Sequence, residues 1–338
     1  GICHSIDSTK VFSYGTAGFR DDASQLPFVL YRMGFLAALR SKVLNKAIGV
    51  VITASHNPVN DNGVKIIDPL GEMLEMKWEK IAADLVNCSD QEYETKCEAL
   101  WKKYSTCSGG EGLVLCGYDT RPSSQFLTEA VHHGVESAGC KFQSYGLLTT
   151  PQLHYIVRCY NGKDYGTCSE EGYYAKYSEA FNDFLNVIKV REDYSRELVV
   201  DCANGVGALK LEKLLGHLSP GSINYSLRNL GGVLNKGCGA DFVKVNQKFP
   251  LSFENIGVYI RCAALDGDAD RLLYFYRNNE DRFVILDGDK IATLFAKFFQ
   301  EQLSAAGLLH QFSLAVVQTA YANGNSTKFL QDALRLKT

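Results

Sequence analysis

Two short segments of this sequence carry side chains able to do chemistry, and the first is built around a serine. Ser55 follows an apolar run rich in β-branched residues, 47–52, which predicts a buried strand. Ligands of α/β folds bind at the edge where strands end, so Ser55 is expected at that edge. A second predicted strand, 64–67, returns Lys65 beside it. A serine with His56 next to it and a lysine folded back over it is a candidate nucleophile.

The second segment is an acidic loop. Asp266, Asp268 and Asp270 alternate with glycine and alanine, between two apolar stretches that predict strands. Three carboxylates this close repel one another unless a cation lies among them or all three face water. Oxygen ligands without histidine or cysteine favour Mg²⁺ or a similar hard ion. A solvated acidic turn is the less favoured alternative between buried strands, so the pattern predicts a metal site.

Two further motifs look like sites but are better explained as structure. Asp287-Gly288-Asp289 offers only two carboxylates, and because a helix is predicted to begin just after it, Asp287 or Asp289 is expected to cap that helix. Segment 203–207 has the strand, glycine loop and helix order of a phosphate-binding turn. It lacks the third glycine and the Lys-Ser/Thr ending of nucleotide motifs, so a tight turn is the better prediction.

Composition excludes several classes of protein. The 338 residues exceed one ordinary core and predict two or three domains. A net charge of -3 gives no electrostatic basis for binding nucleic acid or an anionic membrane, so the positive charge for an anionic substrate must be local. Eleven scattered cysteines without a Cys-x-x-Cys pair favour free thiols in a reducing compartment. No apolar run approaches the length of a bilayer span.

The elements that must position these side chains alternate as in α/β proteins. Helices are predicted over residues 26–44 (with one buried face), 125–138, 173–188, 208–215 and 326–334. Strands are predicted over residues 113–116, 198–202, 272–276 and 314–318. Asn62-Gly63 predicts a tight turn ahead of the Lys65 strand. Ser123 or Ser124 is expected to cap the helix near residue 125, and Arg121 to support the loop before it.

Taken together, the motifs resemble the α-D-phosphohexomutase superfamily, and within it the family of eukaryotic phosphoacetylglucosamine mutases. The matching segments run in order over the chain: 14–20, 53–58, 61–65, 68–74, 119–124, 146–155, 201–210 and 266–271. The resemblance implies an α/β protein of tandem domains with mixed sheets flanked by helices. Domain I, with the serine loop, is expected over residues 1–170, domain II, with the metal loop, over 171–282, and a partial domain III over 283–338.

The resemblance implies an isomerase of the phosphotransferase type that interconverts N-acetylglucosamine 6-phosphate and N-acetylglucosamine 1-phosphate, on the route to UDP-N-acetylglucosamine. Ser55 would carry the phosphoryl group, with a sugar 1,6-bisphosphate as the priming intermediate. One Mg²⁺ per chain is implied, bound by Asp266, Asp268, Asp270 and a phosphate oxygen on Ser55. The chain is expected to be a cytoplasmic monomer that binds a small phosphosugar and neither nucleic acid nor membrane.

Four further residues match functional positions of the family. Arg20 and Lys65 match basic residues near the reacting oxygens, where a proton-transfer role is proposed, and Arg271 and His56 match positions lining the phosphoryl site. Electrostatics points the same way for the cations. Three aspartates and a phosphate exceed the charge that one divalent ion can offset, so flanking cations are needed for phosphoryl transfer.

Several alternatives stay open at this stage. The same serine and metal loops occur in phosphoglucosamine and phosphomannose mutases. The family's sugar-recognition loop and Arg-x-Ser-Gly-Thr phosphate loop are not found before Thr338, and the chain begins with Gly1, so we expect a fragment with a third domain incomplete and a fourth absent. Such a chain would have severely reduced turnover, or would only bind a sugar phosphate or a partner. A serine hydrolase is disfavoured because Ser55 lacks the Gly-x-Ser-x-Gly context.

Overall fold

The structure is a computed structural model that describes residues 10–104, 110–188 and 194–338. These residues form two five-stranded sheets. The strands of the first sheet precede the long helix α6 (Glu170–Val187) in the sequence, and those of the second follow it. Each sheet combines parallel and antiparallel strand pairs, as expected for the predicted α/β class with mixed sheets. Within the described ranges, no helix has both the length and the hydrophobicity required to cross a membrane.

The first sheet has the spatial order β1-β3-β2-β4-β5. Its strands are β1 (Phe19–Asp22), β2 (Ile48–Ile52), β3 (Asp61–Ile67), β4 (Leu113–Tyr118) and β5 (Lys141–Leu147). β2 lies in the centre, parallel to β4 and antiparallel to β3, and all of its residues are buried. A strand covered on both faces requires a continuous apolar sequence, which is why the run before Ser55 lacks alternation.

Helices cover both faces of this sheet. They are α1 (Pro27–Leu44), α2 (Met76–Asn87), α3 (Asp90–Tyr104), α4 (Ser124–Ser137) and α5 (Thr150–Asn161). α1 is buried nearly all round, so the prediction of a single buried face is wrong. The reason is that the two arginines that interrupt its apolar sequence, Arg32 and Arg40, are themselves buried. Arg40 forms a bidentate pair with Asp68 at 3.1 and 2.7 Å.

The second sheet has the order β10-β9-β8-β6-β7 and holds the acidic loop. Its strands are β6 (Glu197–Asp201), β7 (Asn224–Arg228), β8 (Cys262–Leu265), β9 (Leu272–Arg277) and β10 (Phe283–Leu286). The helices of this half are α7 (Gly207–Gly216) and α8 (Ala240–Asn246), and α9 (Gly288–Ala305) and α10 (Gly324–Lys328) follow the sheet. β8 runs parallel to β6, and the acidic loop connects β8 to its antiparallel neighbour β9.

Several local predictions need correction. Asn62 and Gly63 lie inside β3, paired with β1, and do not form a turn. The buried Asn62 side chain bonds to both Ser123 and Ser124, and a Cβ at Gly63 would come within 2.4 Å of a β1 carbonyl, so packing requires both residues. Ser123 occupies the N-cap position of α4 without a side-chain capping bond.

Two predictions concern the last part of the chain. Residues 314–318 form no strand; Ala315 makes one isolated bridge to Lys337. A strand needs a neighbour along its length for its backbone groups, and the described residues supply only this single contact. The capping prediction is confirmed for Asp287, whose side chain accepts a hydrogen bond from the backbone N–H of Lys290 at the start of α9.

Candidate active site

Ser55 lies three residues beyond the end of β2, in a conformation that serine seldom adopts. Its φ is +52°, in the left-handed region, and its side chain is buried. The backbone N–H of Ser55 donates to Thr53 Oγ1 at 2.9 Å, and the Thr53 hydroxyl donates to Asp119 at 2.7 Å. Strained backbone of this kind persists only where surrounding contacts hold it. The loop is therefore fixed before any ligand binds.

The acidic loop approaches this serine from the second sheet. Ser55 Oγ donates to Asp266 Oδ2 at 2.5 Å, across 211 positions of sequence. The predicted convergence of Asp266, Asp268 and Asp270 is also observed: one carboxylate oxygen of each lies within 4.8 Å of the others. Asp266 and Asp268 are fully buried, whereas Asp270 is exposed. The candidate nucleophile and the three candidate ligands therefore share one site at the junction of the two sheets.

A glycine in the acidic loop makes this approach possible. A Cβ at Gly267 would lie 2.5 Å from the Ser55 carbonyl oxygen, closer than any side chain can come. The Gly267 carbonyl in turn accepts a hydrogen bond from the N–H of Val206 at 3.0 Å. Segment 203–207, which sequence reasoning treated as a turn, thus supports the acidic loop from behind.

Thr150 is a site residue that sequence reasoning missed. Its hydroxyl donates to Asp268 Oδ2 at 2.6 Å, and its backbone N–H donates to the Asp268 carbonyl at 3.1 Å. Thr150 begins α5, whose capping box joins Thr149 and Gln152. The Thr-Thr-Pro-Gln sequence at a helix start was a usable signal for the cap. It gave no indication that the next hydroxyl would reach an aspartate 118 positions away.

Three cations surround the carboxylates. Lys65 Nζ lies 3.1 Å from Asp270 Oδ2 and 3.7 Å from Asp268 Oδ2, and Arg271 Nε lies 3.7 Å from Asp266 Oδ2. Burial lowers the pKa of Arg20, while the nearby negative charge of Asp268 opposes that change. Arg20 Nε is buried and finds no hydrogen-bond partner in the part of the chain that the structure describes. The predicted cations therefore do converge on the triad.

His56 faces the same charges. Its pKa is lowered, first because burial disfavours the charged imidazole and then because the positive charge of Arg271 lies nearby. Its Nδ1 is buried and makes no hydrogen bond to the described residues. A neutral imidazole beside two arginines can accept or donate one hydrogen bond but adds little to the local charge.

The donor set fits a hard divalent cation. Burial raises the pKa of Asp266 well above its ordinary value, and the charges of Asp268 and Asp270 raise it further. Asp268 Oδ1 is buried with no hydrogen-bond partner among the described residues. A buried carboxylate oxygen that lacks a partner costs free energy, and a bound cation removes both this cost and the mutual repulsion. The three aspartates would hold Mg²⁺ through oxygen ligands alone.

Arg121 has the supporting role that its loop predicted. It is buried, pairs with Asp119 at 3.0 Å and donates to the backbone carbonyls of Ser55 and Asn57. Asn235, in the loop between β7 and α8, donates to the same two carbonyls from the other sheet. Asn235 was also missed, since nothing in a single asparagine within a loop indicates a contact 180 positions away.

Comparisons with known proteins point to one family. A model described as "Phosphoacetylglucosamine mutase AMG1, domain II" matches residues 165–273, and its domain III counterpart matches residues 287–338. A model described as "Phosphoglucomutase/phosphomannomutase, alpha/beta/alpha domain I" matches residues 35–93 and 86–169. The Homo sapiens phosphoacetylglucosamine mutase is 46% identical over 336 residues. That alignment covers 98% of this chain and 61% of the human protein, so the chain spans about three-fifths of that relative.

Solved structures show the same relationship. The N-acetylphosphoglucosamine mutase of Aspergillus fumigatus in complex with glucose 1,6-bisphosphate superposes with a TM-score of 0.91 at 42% identity. That superposition covers 98% of this chain and 62% of the fungal one. A second structure of the fungal enzyme, in complex with GlcNAc-6P and magnesium, gives a TM-score of 0.89, also at 42% identity, with coverages of 97% and 62%.

Proposed function

This chain belongs to the phosphoacetylglucosamine mutase family, and from that premise we propose that it carries the phosphotransfer site of such an enzyme. The proposed reaction is the interconversion of N-acetylglucosamine 6-phosphate and N-acetylglucosamine 1-phosphate through a sugar 1,6-bisphosphate. The observation that carries the proposal is the 2.5 Å contact between Ser55 Oγ and Asp266, which joins a candidate nucleophile to a candidate metal centre. The ligands of the fungal relatives, GlcNAc-6P, magnesium and glucose 1,6-bisphosphate, support the choice of substrate and cofactor.

Each residue has a proposed role in this reaction. Phosphorylated Ser55 gives its phosphoryl group to the free hydroxyl of the sugar monophosphate, which yields the 1,6-bisphosphate. Ser55 Oγ then recovers a phosphoryl group from the other phosphorylated oxygen, which leaves as the free hydroxyl of the isomeric monophosphate. Asp266, Asp268 and Asp270 would hold one Mg²⁺, which when bound supplies positive charge to the phosphoryl oxygens. Lys65 lies 3.1 Å from Asp270, beside the triad, and its proposed role is to exchange a proton with the reacting sugar oxygen.

The remaining positive groups serve the phosphate. Arg271 and Arg20 neutralise negative charge that the cation leaves uncompensated, as phosphoryl transfer requires. The pKa of His56 is lowered, and its neutral imidazole would form a hydrogen bond with the phosphoryl group. Among hexose-phosphate mutases, the similarity to the phosphoacetylglucosamine mutases of Homo sapiens and Candida albicans favours the N-acetylated sugar over glucosamine or mannose phosphates.

Organisation and setting are part of the proposal. We infer domain I over residues 1–170, domain II over 171–282 and part of domain III over 283–338, in agreement with the separation of the two sheets in sequence. The cysteines within the described ranges are free thiols, which supports a reducing compartment such as the cytoplasm. A monomer is proposed, and light scattering of the purified chain measures its mass directly.

The test is phosphoryl uptake by Ser55. The dephosphorylated chain is incubated with Mg²⁺ and glucose 1,6-bisphosphate, and its intact mass is recorded. We expect a single addition of about 80 Da, the mass of one phosphoryl group replacing hydrogen. Ser55→Ala should lose the addition, and Ser137→Ala, a matched change at the end of α4, should keep it. Uptake in Ser55→Ala, or none in the parent chain, would contradict the proposal.

A further inference from the structure

The carbonyl oxygens of Ser55 and Asn57 are held by two NH₂ groups from opposite sides of the site. Arg121 Nη2 donates to Ser55 O at 3.1 Å and to Asn57 O at 3.0 Å. Asn235 Nδ2 donates to the same oxygens at 2.9 and 3.1 Å. Each NH₂ group has two hydrogens and each carbonyl has two lone pairs, so four donors meet four acceptors. We call these four bonds the carbonyl clamp.

The two halves of the carbonyl clamp come from different sheets. Arg121 follows β4 in the first sheet, next to Ser55 itself, and is fixed by Asp119. Asn235 belongs to the loop after β7 in the second sheet, the sheet that also presents Asp266. Its own backbone N–H donates to the Ala203 carbonyl at 2.9 Å, which anchors it within that half. The Asn235 bonds therefore exist only when the two halves are in contact.

Holding these carbonyls determines where the Ser55 hydroxyl points. The residue has a φ of +52°, and with its carbonyl fixed on both lone pairs its backbone cannot relax to an extended conformation. In this conformation Ser55 Oγ reaches Asp266 at 2.5 Å. A displacement of about 1 Å at a reacting atom costs about a hundredfold in rate, so such fixation matters for a nucleophile.

We propose that Asn235 is a positioning residue for phosphoryl transfer, which couples contact between the two halves of the chain to the orientation of Ser55. The inference rests on the proposed function for its kinetic consequence, whereas the clamp itself does not depend on it. Asn235 touches no reacting atom; it acts through the backbone of the serine loop.

The test compares two substitutions at Asn235 with the same two at Asn45. Asn45 is a matched control because it also has a positive φ, +50° against +58°, and it is exposed just beyond the end of α1, outside the carbonyl clamp. Asn235→Asp keeps the shape and the tolerance of left-handed backbone but loses the donor, and Asn235→Ala loses the donor without adding charge. The readouts are the rate constant of Ser55 phosphorylation at saturating glucose 1,6-bisphosphate and the final fraction modified.

We expect both Asn235 substitutions to lower the rate constant about tenfold or more while most molecules are still modified in the end. Both Asn45 substitutions should change the rate constant by less than about threefold. An unchanged rate in Asn235→Ala overturns the inference, because a slow Asn235→Asp alone would then report only its added charge. A reduced modified fraction at an unchanged rate constant also overturns it, since that result reports partial misfolding.

A second readout separates this inference from the proposed function. Amide hydrogen exchange over residues 53–58 should be about tenfold faster in Asn235→Ala than in Asn45→Ala, because two of the four bonds are lost. If the parent chain takes up no phosphate, the proposed function fails on its own. Faster exchange in that case still supports the carbonyl clamp, and unchanged exchange overturns it.

Discussion

Replacing Asp266 by asparagine should stabilise the metal-free chain and remove its response to Mg²⁺. The hydrogen bonds at this position survive the change. Asp266 Oδ1 accepts from the N–H of Arg271 at 3.1 Å, and an asparagine oxygen can do the same. The asparagine NH₂ then donates to Ser55 Oγ, which now acts as the acceptor at the 2.5 Å contact. Both contacts of residue 266 thus keep a hydrogen bond in Asp266→Asn, and the Ser55 hydroxyl hydrogen is released from its former acceptor.

The expected gain comes from relief of repulsion. Two unit charges at 4.8 Å, the limit of separation in the triad, repel by about 3 kcal/mol at an effective dielectric of 20. Lys65 offsets part of the charge on Asp268 and Asp270, and Arg271 loses its 3.7 Å partner in the variant. We therefore expect a net gain of about 1–2 kcal/mol in the free energy of unfolding, measured in urea with a chelator present.

The gain should depend on pH. Burial and the neighbouring carboxylates raise the pKa of Asp266 in the folded chain, so the folded state binds more protons than the unfolded state. The stability of the parent then falls as pH rises above the unfolded pKa of about 3.9, until the folded pKa is passed. Asp266→Asn lacks this loss, and its advantage over the parent should grow over the same interval.

Added Mg²⁺ should favour the parent over Asp266→Asn, the reverse of the difference in stability expected in chelator. A ligand at a hundred times its dissociation constant stabilises the folded state by about 2.7 kcal/mol, so Mg²⁺ should stabilise the parent by this order. Asp266→Asn should respond much less, and Asp332→Asn, an exposed control, should behave as the parent does in both conditions. A variant less stable than the parent in chelator, or one with the full Mg²⁺ response, would refute the electrostatic reasoning.

Three other substitutions test the framework of the site. Arg40→Met should lower the free energy of unfolding in urea by about 3–5 kcal/mol, because Asp68 stays buried without its bidentate partner. A decrease below about 1 kcal/mol would contradict this. Gly34→Ala should lower the free energy of unfolding by about 1–3 kcal/mol, because the added Cβ would lie 2.2 Å from the Val131 carbonyl oxygen on α4. Gly216→Ala is the control: its Cβ would point into open space, and the chain should not be destabilised. Thr150→Val should weaken Mg²⁺ binding about tenfold in calorimetry by freeing Asp268 Oδ2, and Thr128→Val, whose hydroxyl donates to the Ser124 carbonyl within α4, should not; equal affinities would show that Thr150 does not orient this ligand.

Much of the site was determined by the sequence alone. Ser55 and the three alternating aspartates were predicted from their positions at strand ends, and Lys65 from a strand that returns beside Ser55. The structure brings these residues together. These predictions succeed because strand periodicity and loop composition are local, and because strand ends meet at a common edge in α/β sheets. The family resemblance added Arg20 and Arg271, which no local pattern distinguishes from ordinary surface residues, and it placed His56 at the phosphoryl site.

Only the tertiary structure decided which residues support that chemistry. Thr150 on Asp268 and Asn235 on the Ser55 carbonyl each act across more than a hundred positions of sequence, and neither belongs to a pattern that predicts it. The pairing of buried Arg40 with Asp68 and the pairing of Asn62-Gly63 within β3 were likewise not predicted. The physical reason is common to all four. Periodicity reports which face of an element is apolar, whereas the partner of a buried polar group depends on which elements the fold brings together.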